Sequence, residues 1–384
     1  MTQRMNSRER ILAAVRRDAV DYVPCCGFFN PLSSVQRQGH TWNFPWASDA
    51  PLPEQLRYQV EELGLDQLVN VGVAAAQTVA GIASRKWQEG DVLHKAYETP
   101  AGTLHASVRI NDLWPHGQEI PFYSDFNIGH YVEPWIQTAE DLACFQCLQV
   151  LRDRDEVVDE ARAGLKPSFA LAQQYGLATQ AVAGMGLTGA QHLFGAADLC
   201  LMTIDNPELV DAYLEHEHQM NLARIAALGE LGVDIVRRNG FYETADFYGP
   251  DMLRRFLTRR LTAETAMAHQ GGMAMAYTVH TGVMPILDYL SELPLDSLQG
   301  IDIAFGGVDL PKVRDTLAAD KAFWIGPSST YHIWEGPEAT RQAVREVFDC
   351  FGKTGLILSQ CVSSHSIMPW ESTLAMVDEW RRLR

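Results

Sequence analysis

The chain has 384 residues, 47% of them hydrophobic and 21% charged, a balance that excludes a disordered protein and supports a large buried core. Its 48 acidic side chains outnumber 31 basic ones, and the formal charge of -17 opposes nucleic acid and anionic membrane surfaces as partners. The N-terminal MTQRMNSRERILAAVRR has no apolar run of signal-peptide length, and no later stretch reaches the roughly 20 apolar residues of a membrane span. A cytoplasmic protein with reduced thiols is therefore the expectation, since seven cysteines form an odd set without a secretion signal.

The first predicted element is a helix, with Ser7 as N-cap, Glu9 in its first turn, and Ile11, Leu12 and Val15 at helical spacing. Asp21-Tyr22-Val23-Pro24 ends it, and Cys25 to Phe29 reads as a first buried strand. A long aromatic loop follows, carrying Arg37, His40, Trp42, Phe44 and Trp46. Gln55 to Leu63 is amphipathic at helical period, and Gln67 to Gly72 is a second strand. Between Val92 and Ile110, alternating residues flank Thr99-Pro100-Ala101-Gly102, which predicts an inserted β-hairpin bordering a mouth of the fold.

Beyond Leu177 strand and helix alternate regularly. Strands are predicted at Ala178 to Ala183, Val233 to Val236, Met273 to Val279, Leu295 to Leu298, Ala322 to Ile325 and Leu356 to Ser359. Helices are predicted at Ala190 to Thr203, Pro207 to Leu231, Pro250 to His269, Pro285 to Leu293, Leu310 to Leu317, Pro337 to Phe351 and Ser372 to Leu383. Strands that are apolar throughout, rather than on alternate positions, indicate a parallel sheet covered by helices. An open doubly wound sheet shares that pattern. No GxGxxG or GxxxxGK[ST] follows any strand, so nothing calls for a nucleotide site. The favoured architecture is α/β, a single (β/α)8 barrel of the TIM type over residues 1–384, with an N-terminal helical segment and the hairpin near 92–110 inserted.

Active sites of such barrels form where parallel strands end. Three strand ends carry polar clusters: Asn239 to Asp246, with Tyr242, Glu243 and Asp246; Tyr277 to Gly282, with His280; and Leu358 to His365, with Cys361. Glu243 and Asp246 can ligate a metal, act as general base, or cap the helix at Pro250. His280 and Cys361 supply imidazole and thiolate, the ligands a soft metal such as Zn2+ prefers, and His365 can join them. In the aromatic loop Arg37, His40 and Trp42 suit an aromatic or carboxylated small molecule, as does Tyr242. Cys144-Phe145-Gln146-Cys147 has CxxC form but stands alone in a helical context, and Glu215-His216-Glu217-His218 reads as a solvated helix surface.

Taken in order, Asn6 to Ala14 with Asp21-Tyr22-Val23-Pro24, Gly189 to Gly195 leading to Asn206-Pro207-Glu208, Gly232-Val233-Asp234, Val279-His280-Thr281-Gly282 and Gly355 to Ser359 resemble the uroporphyrinogen decarboxylase superfamily over nearly the whole chain. The resemblance implies either decarboxylation of tetrapyrrole side chains or zinc-dependent methyl transfer with corrinoids or thiols. True decarboxylases carry RQAGR near the N-terminus, and this chain has only Arg37-Gln38-Gly39. The methyltransferases carry His-x-Cys, which reads His280-Thr281-Gly282 here, and a second cysteine that matches Cys361. Carried over residue by residue, the resemblance assigns His280 and Cys361 to zinc, with Glu243 or His365 substituting for the missing thiol.

The reading that follows is methyl transfer between a small, possibly methoxylated aromatic donor and a corrinoid or thiol acceptor, with a cobalamin-bearing protein over the barrel mouth. A cofactor-independent decarboxylase in which Asp246 or His280 handles the proton, and a non-catalytic binding protein, are the alternatives. A homodimer is implied by the family.

Overall fold

The computed structural model of the chain describes residues 4–27, 51–112, 114–123, 129–305, 307–361 and 369–384. At its centre seven parallel strands run in chain order: Leu68–Val71, Ala178–Gly184, Ile235–Asn239, Ala274–Thr278, Ser297–Gln299, Ala322–Ile325 and Leu356–Leu358. The segment around Cys25 takes the eighth place. Its backbone exchanges hydrogen bonds with Leu358 on one side and accepts one from Asp66 on the other, each 2.9 Å, which closes the sheet into the expected barrel.

Parallel partners in register face the same way, so the ladder itself sorts the strands into a lumen set and a helix-facing set. Asn239, Thr278, Gln299, Trp324 and Ile357 stand in one row around the inside, and Arg237, Ala276, Ser297 and Ala322 in the row below. Val236, Met275, Leu298, Phe323 and Leu356 point the other way into the main core under the helices. The floor of the lumen is apolar, with Ala178, Ile235, Ala276, Trp324 and Ile357 packed on Ile11, Ala14 and Val15 of the first helix, Ser7–Val15. That helix therefore plugs the N-terminal end, and ligands reach the lumen only from the other side.

The plug helix is capped one residue earlier than predicted: Asn6, not Ser7, is the N-cap, and Glu9 completes a capping box with it. Gly195 divides the predicted Ala190 to Thr203 helix into Gly186–Phe194 and Ala196–Asp205. The predicted helices beginning near Gln55 and at Pro250 are present but each holds a π-helical turn, Tyr58–Glu62 and Arg254–Thr258. The strand predicted at Val233 to Val236 instead runs to Asn239, carrying two arginines into the sheet.

The hairpin forms as expected, Val92–Thr99 paired antiparallel with Gly102–Arg109. It is the middle of a four-stranded sheet completed by Ala83–Glu89 and Tyr131–Glu133. Tyr131 Oη donates to the His192 carbonyl at 2.7 Å, so this sheet rests on the helix that follows the Ala178–Gly184 strand. Among the described residues no helix is long and apolar enough to cross a membrane.

Candidate functional site

The C-terminal ends of the strands bring His280 and Cys361 together. Cys361 lies in a short parallel bridge with Ser328, and its Sγ stands 3.4 Å from His280 Nδ1. Nδ1 also lies 2.7 Å from the Gly300 carbonyl oxygen, which fixes the ring and makes Nδ1–H the donor. Nε2 is then the Lewis-basic atom, buried and without a partner among the described residues. A backbone carbonyl holding one ring nitrogen while the other stays open is how metal-binding histidines are oriented. Phe241 stacks on the imidazole at 5.1 Å with planes 6° apart. Burial lowers the His280 pKa and raises that of the Cys361 thiol well above its ordinary value.

Asp302 joins this rim, although sequence reasoning missed it. Its backbone N–H donates to the His280 carbonyl at 2.9 Å, and its Oδ2 accepts from Ser328 Oγ at 2.9 Å. Asp302 also bears electrostatically on both His280 and Cys361. Its position, three residues beyond the Ser297–Gln299 strand, was the available signal, because that strand was predicted too short to expose it. Among the described residues, no group of three or more His, Cys, Asp or Glu stands close enough to hold a metal ion. Imidazole and thiol are donor types that a soft dication takes, but Sγ stands beside the protonated Nδ1 and not beside the open Nε2, so an ion shared by the two requires the thiol to turn toward Nε2. His365, Arg37, His40 and Trp42 lie outside the described residues.

Asp246 and Gly282 explain the missing thiol in spatial terms. Gly282 has φ +62°, and a Cβ there would stand 2.7 Å from the Asp246 carboxyl carbon. The carboxylate fills the space a side chain at position 282 would need, and it accepts a 2.5 Å hydrogen bond from Thr281 Oγ1. Asp246 does not cap the helix at Pro250, whose N-cap is Gly249. Gly282→Cys alone is therefore expected to lose about 1–3 kcal/mol of stability. The double variant with Asp246→Ala should recover part of it, as thermal unfolding of the two proteins will show; equal stabilities would contradict the clash.

Glu243, expected at the metal, is committed elsewhere. Its Oε1 accepts from Leu187 N at 2.6 Å and its Oε2 from Tyr277 Oη at 2.5 Å, on the helix-facing side of the sheet. Tyr242 donates its backbone N–H to Thr188 Oγ1, and its ring stands edge-on to Phe247. Glu243 belongs to a buried cluster around Arg238, whose guanidinium is 3.1 Å from Glu264, 3.6 Å from Glu217 and 3.9 Å from Glu243. The prediction of a solvated 215–218 surface is thereby corrected. His218 is buried against Glu264 at 2.9 Å, and Glu217 accepts the N–H groups of Met185 and Gly186 at the start of the Gly186–Phe194 helix. Gly186, at φ +54°, leaves the room this requires, since a Cβ there would stand 2.2 Å from both Arg238 and Glu243.

Three carboxylates face the Arg238 guanidinium in this cluster, Arg224 acts on Glu217 and Glu264 as well, and burial favours the protonated form of Glu243. Burial pushes the Glu243 carboxyl up to about 7, with the Glu217 charge adding to it and Arg238 and the Tyr277 hydroxyl opposing. Glu264, held by Arg238, His218 and Asn221, stays below the ordinary range against its burial. For Glu243 the folded pKa exceeds the unfolded value of 4.5, so its contribution to stability is complete below that pH and disappears as pH rises through about 7. Glu243→Gln should remove this fall, changing the wild-type-minus-variant unfolding free energy by on the order of 2 kcal/mol across that window. Parallel urea unfolding curves at each pH measure it, and a pH-independent difference would contradict the assignment.

Below His280 the lumen opens into a cavity of about 410 Å³, lined by Asn70, Gln180, Arg237, Thr278, Gln299 and Trp324 together with Phe241 and Arg224. Gln180, Arg237 and Gln299 face inward from strands that also carry Thr179, Arg238, Asn239 and Ser297, and of the three Gln180 alone falls within a strand predicted from the sequence.

No protein-family model matches the chain, and no curated protein does. Among solved structures it is similar to a methyltransferase from Methanosarcina mazei, at 17% identity and a TM-score of 0.60, over 98% of this chain and 99% of that one. It is also similar to a B12-independent methionine synthase from Shewanella sp. W3-18-1, at 10% identity and a TM-score of 0.51, over 94% and 96% of the two chains. At these identities the likeness establishes the fold, and this shared barrel is the one that the uroporphyrinogen decarboxylase resemblance implies.

Proposed function

We propose that the chain is a methyltransferase whose chemistry is centred on His280 and Cys361. The observation that carries this reading is the 3.4 Å approach of Cys361 Sγ to His280 Nδ1 at the tips of two separate strands, beside the lumen cavity. Two solved structures that share the barrel over nearly their full length are named as a methyltransferase and a methionine synthase, which supports the same class of reaction.

Zn2+ held by His280 and Cys361, with Asp302 beside them, would supply Lewis acidity that lowers the pKa of an acceptor thiol or polarises a methoxy donor. The chain's own residues do the rest. The Gly300 carbonyl orients His280, Phe241 covers one face of the ring and keeps water from it, and the lumen positions the small substrate against that pair. A corrinoid, carried free or by a partner protein, would approach from the open C-terminal face, because the first helix closes the other.

The test is methyl exchange between free methylcobalamin and a small thiol, followed by visible absorbance with zinc-loaded protein. Exchange that is catalysed by the wild type and lost in Cys361→Ala supports the proposal. Release of CO2 from a carboxylated aromatic without any exchange would replace it with decarboxylation.

A further inference from the structure

The lumen carries a positive charge that the described residues leave unanswered. Arg237 points inward from the Ile235–Asn239 strand, and neither a hydrogen bond nor an ion pair joins it to any described residue; its Nε is buried without a partner. The described cavity lining includes no aspartate or glutamate at all, in a chain of formal charge -17. Its other arginine, Arg224, is already engaged by the Ala183 carbonyl and the Asn221 side chain, and the Glu217 charge acts on it. A half-buried guanidinium without a counter-charge is costly, and its partial removal from water lowers the Arg237 pKa to about 10. Arg237 is also near enough to His280 to bear on its charge.

Around this cation stand further unsatisfied polar atoms that face the same space: Gln180 Nε2, Thr278 Oγ1, Gln299 Oε1 and His280 Nε2. Such groups in one cavity mark a site built for a polar ligand, since native proteins rarely leave buried polar atoms unmet. One uncompensated charge calls for one negative charge in return. A planar fork of N–H donors matches a carboxylate in two parallel hydrogen bonds. Phe241 and Trp324 add flat apolar wall beside it.

We propose that the barrel lumen binds a small monocarboxylic acid, its carboxylate on Arg237 and its opposite end directed to His280 and Cys361. This deepens the proposed function by naming the substrate class, and it rests on the same chamber. The carboxylate fixes the molecule; the reacting group lies at the other end.

The experiment compares benzoate, its neutral isostere benzamide and dianionic phenyl phosphate by calorimetric titration and thermal unfolding of the full chain. Wild type is expected to bind benzoate at least about tenfold more tightly than benzamide or phenyl phosphate, a ratio typical of one charge-assisted pair. Arg237→Met should abolish that preference while raising the unfolding temperature of the ligand-free protein, because it removes an unpaired, half-buried charge; a merely structural arginine would lower it. Arg237→Lys, a second variant in case the first does not fold, should keep a weakened preference. Benzoate bound no better than benzamide by wild type, or equally well after Arg237→Met, overturns the proposal, and preference for phenyl phosphate replaces the carboxylate with a phosphate. Benzoate preference and methyl exchange are read on the same wild-type protein, so failure of the methyl-transfer reading would show separately as retained binding without exchange activity.

Discussion

Replacing Arg238 by methionine is expected to destabilise the protein by about 3–5 kcal/mol, the largest loss anticipated from any single surface-silent change in the barrel wall. The residue is fully buried, and Glu264, Glu217 and Glu243 all converge on its guanidinium. Glu264 is as buried as the arginine, and Arg238 is the strongest of the groups that hold its carboxylate down, ahead of its hydrogen bonds to His218 and Asn221. Methionine fills the volume, so the effect isolates the charge rather than a cavity. Urea unfolding monitored by far-ultraviolet circular dichroism gives the number, and a loss below about 1 kcal/mol would mean that the carboxylates are neutral at the working pH.

The second large effect concerns the rim. His280→Ala and Cys361→Ser are each expected to reduce zinc affinity by at least on the order of 100-fold, because losing a ligand exceeds the 10–100-fold cost of losing a group that merely supports one. Methyl exchange should fall in step with metal content. Stability should change less, since among the described residues the pair's side chains meet chiefly one another, the Gly300 carbonyl and the Phe241 ring. Competitive titration with a chromophoric chelator separates the two effects. Full zinc affinity in both variants would move the metal away from this pair.

The alternation of apolar strands and helices made the barrel legible, and its helix limits at Leu310–Leu317 and Pro337–Phe351 coincide with the structure. What the sequence concealed was long-range. Arg237 and Arg238 are neighbours in a strand, so one enters the lumen and the other the helix layer, but a strand ended at Val236 hides both. Glu217 and His218 read as solvated because helical spacing says nothing about which helix will cover a face; Arg238 and Glu264, from elsewhere in the chain, bury them. Strand ends did reveal His280 and Cys361, since termination of an apolar run is a local signal. Glu243 occupies an equivalent place after its strand, yet Tyr277 and the Leu187 N–H draw it behind the sheet.

Zinc K-edge X-ray absorption of the purified, zinc-loaded protein addresses the central claim most directly. One sulfur scatterer at about 2.3 Å, with the remaining shell of nitrogen and oxygen near 2.0–2.1 Å, is the predicted spectrum, and the sulfur contribution should vanish in Cys361→Ser. A shell of nitrogen and oxygen alone in the wild type, or a sulfur signal that survives the substitution, would contradict a metal shared by His280 and Cys361.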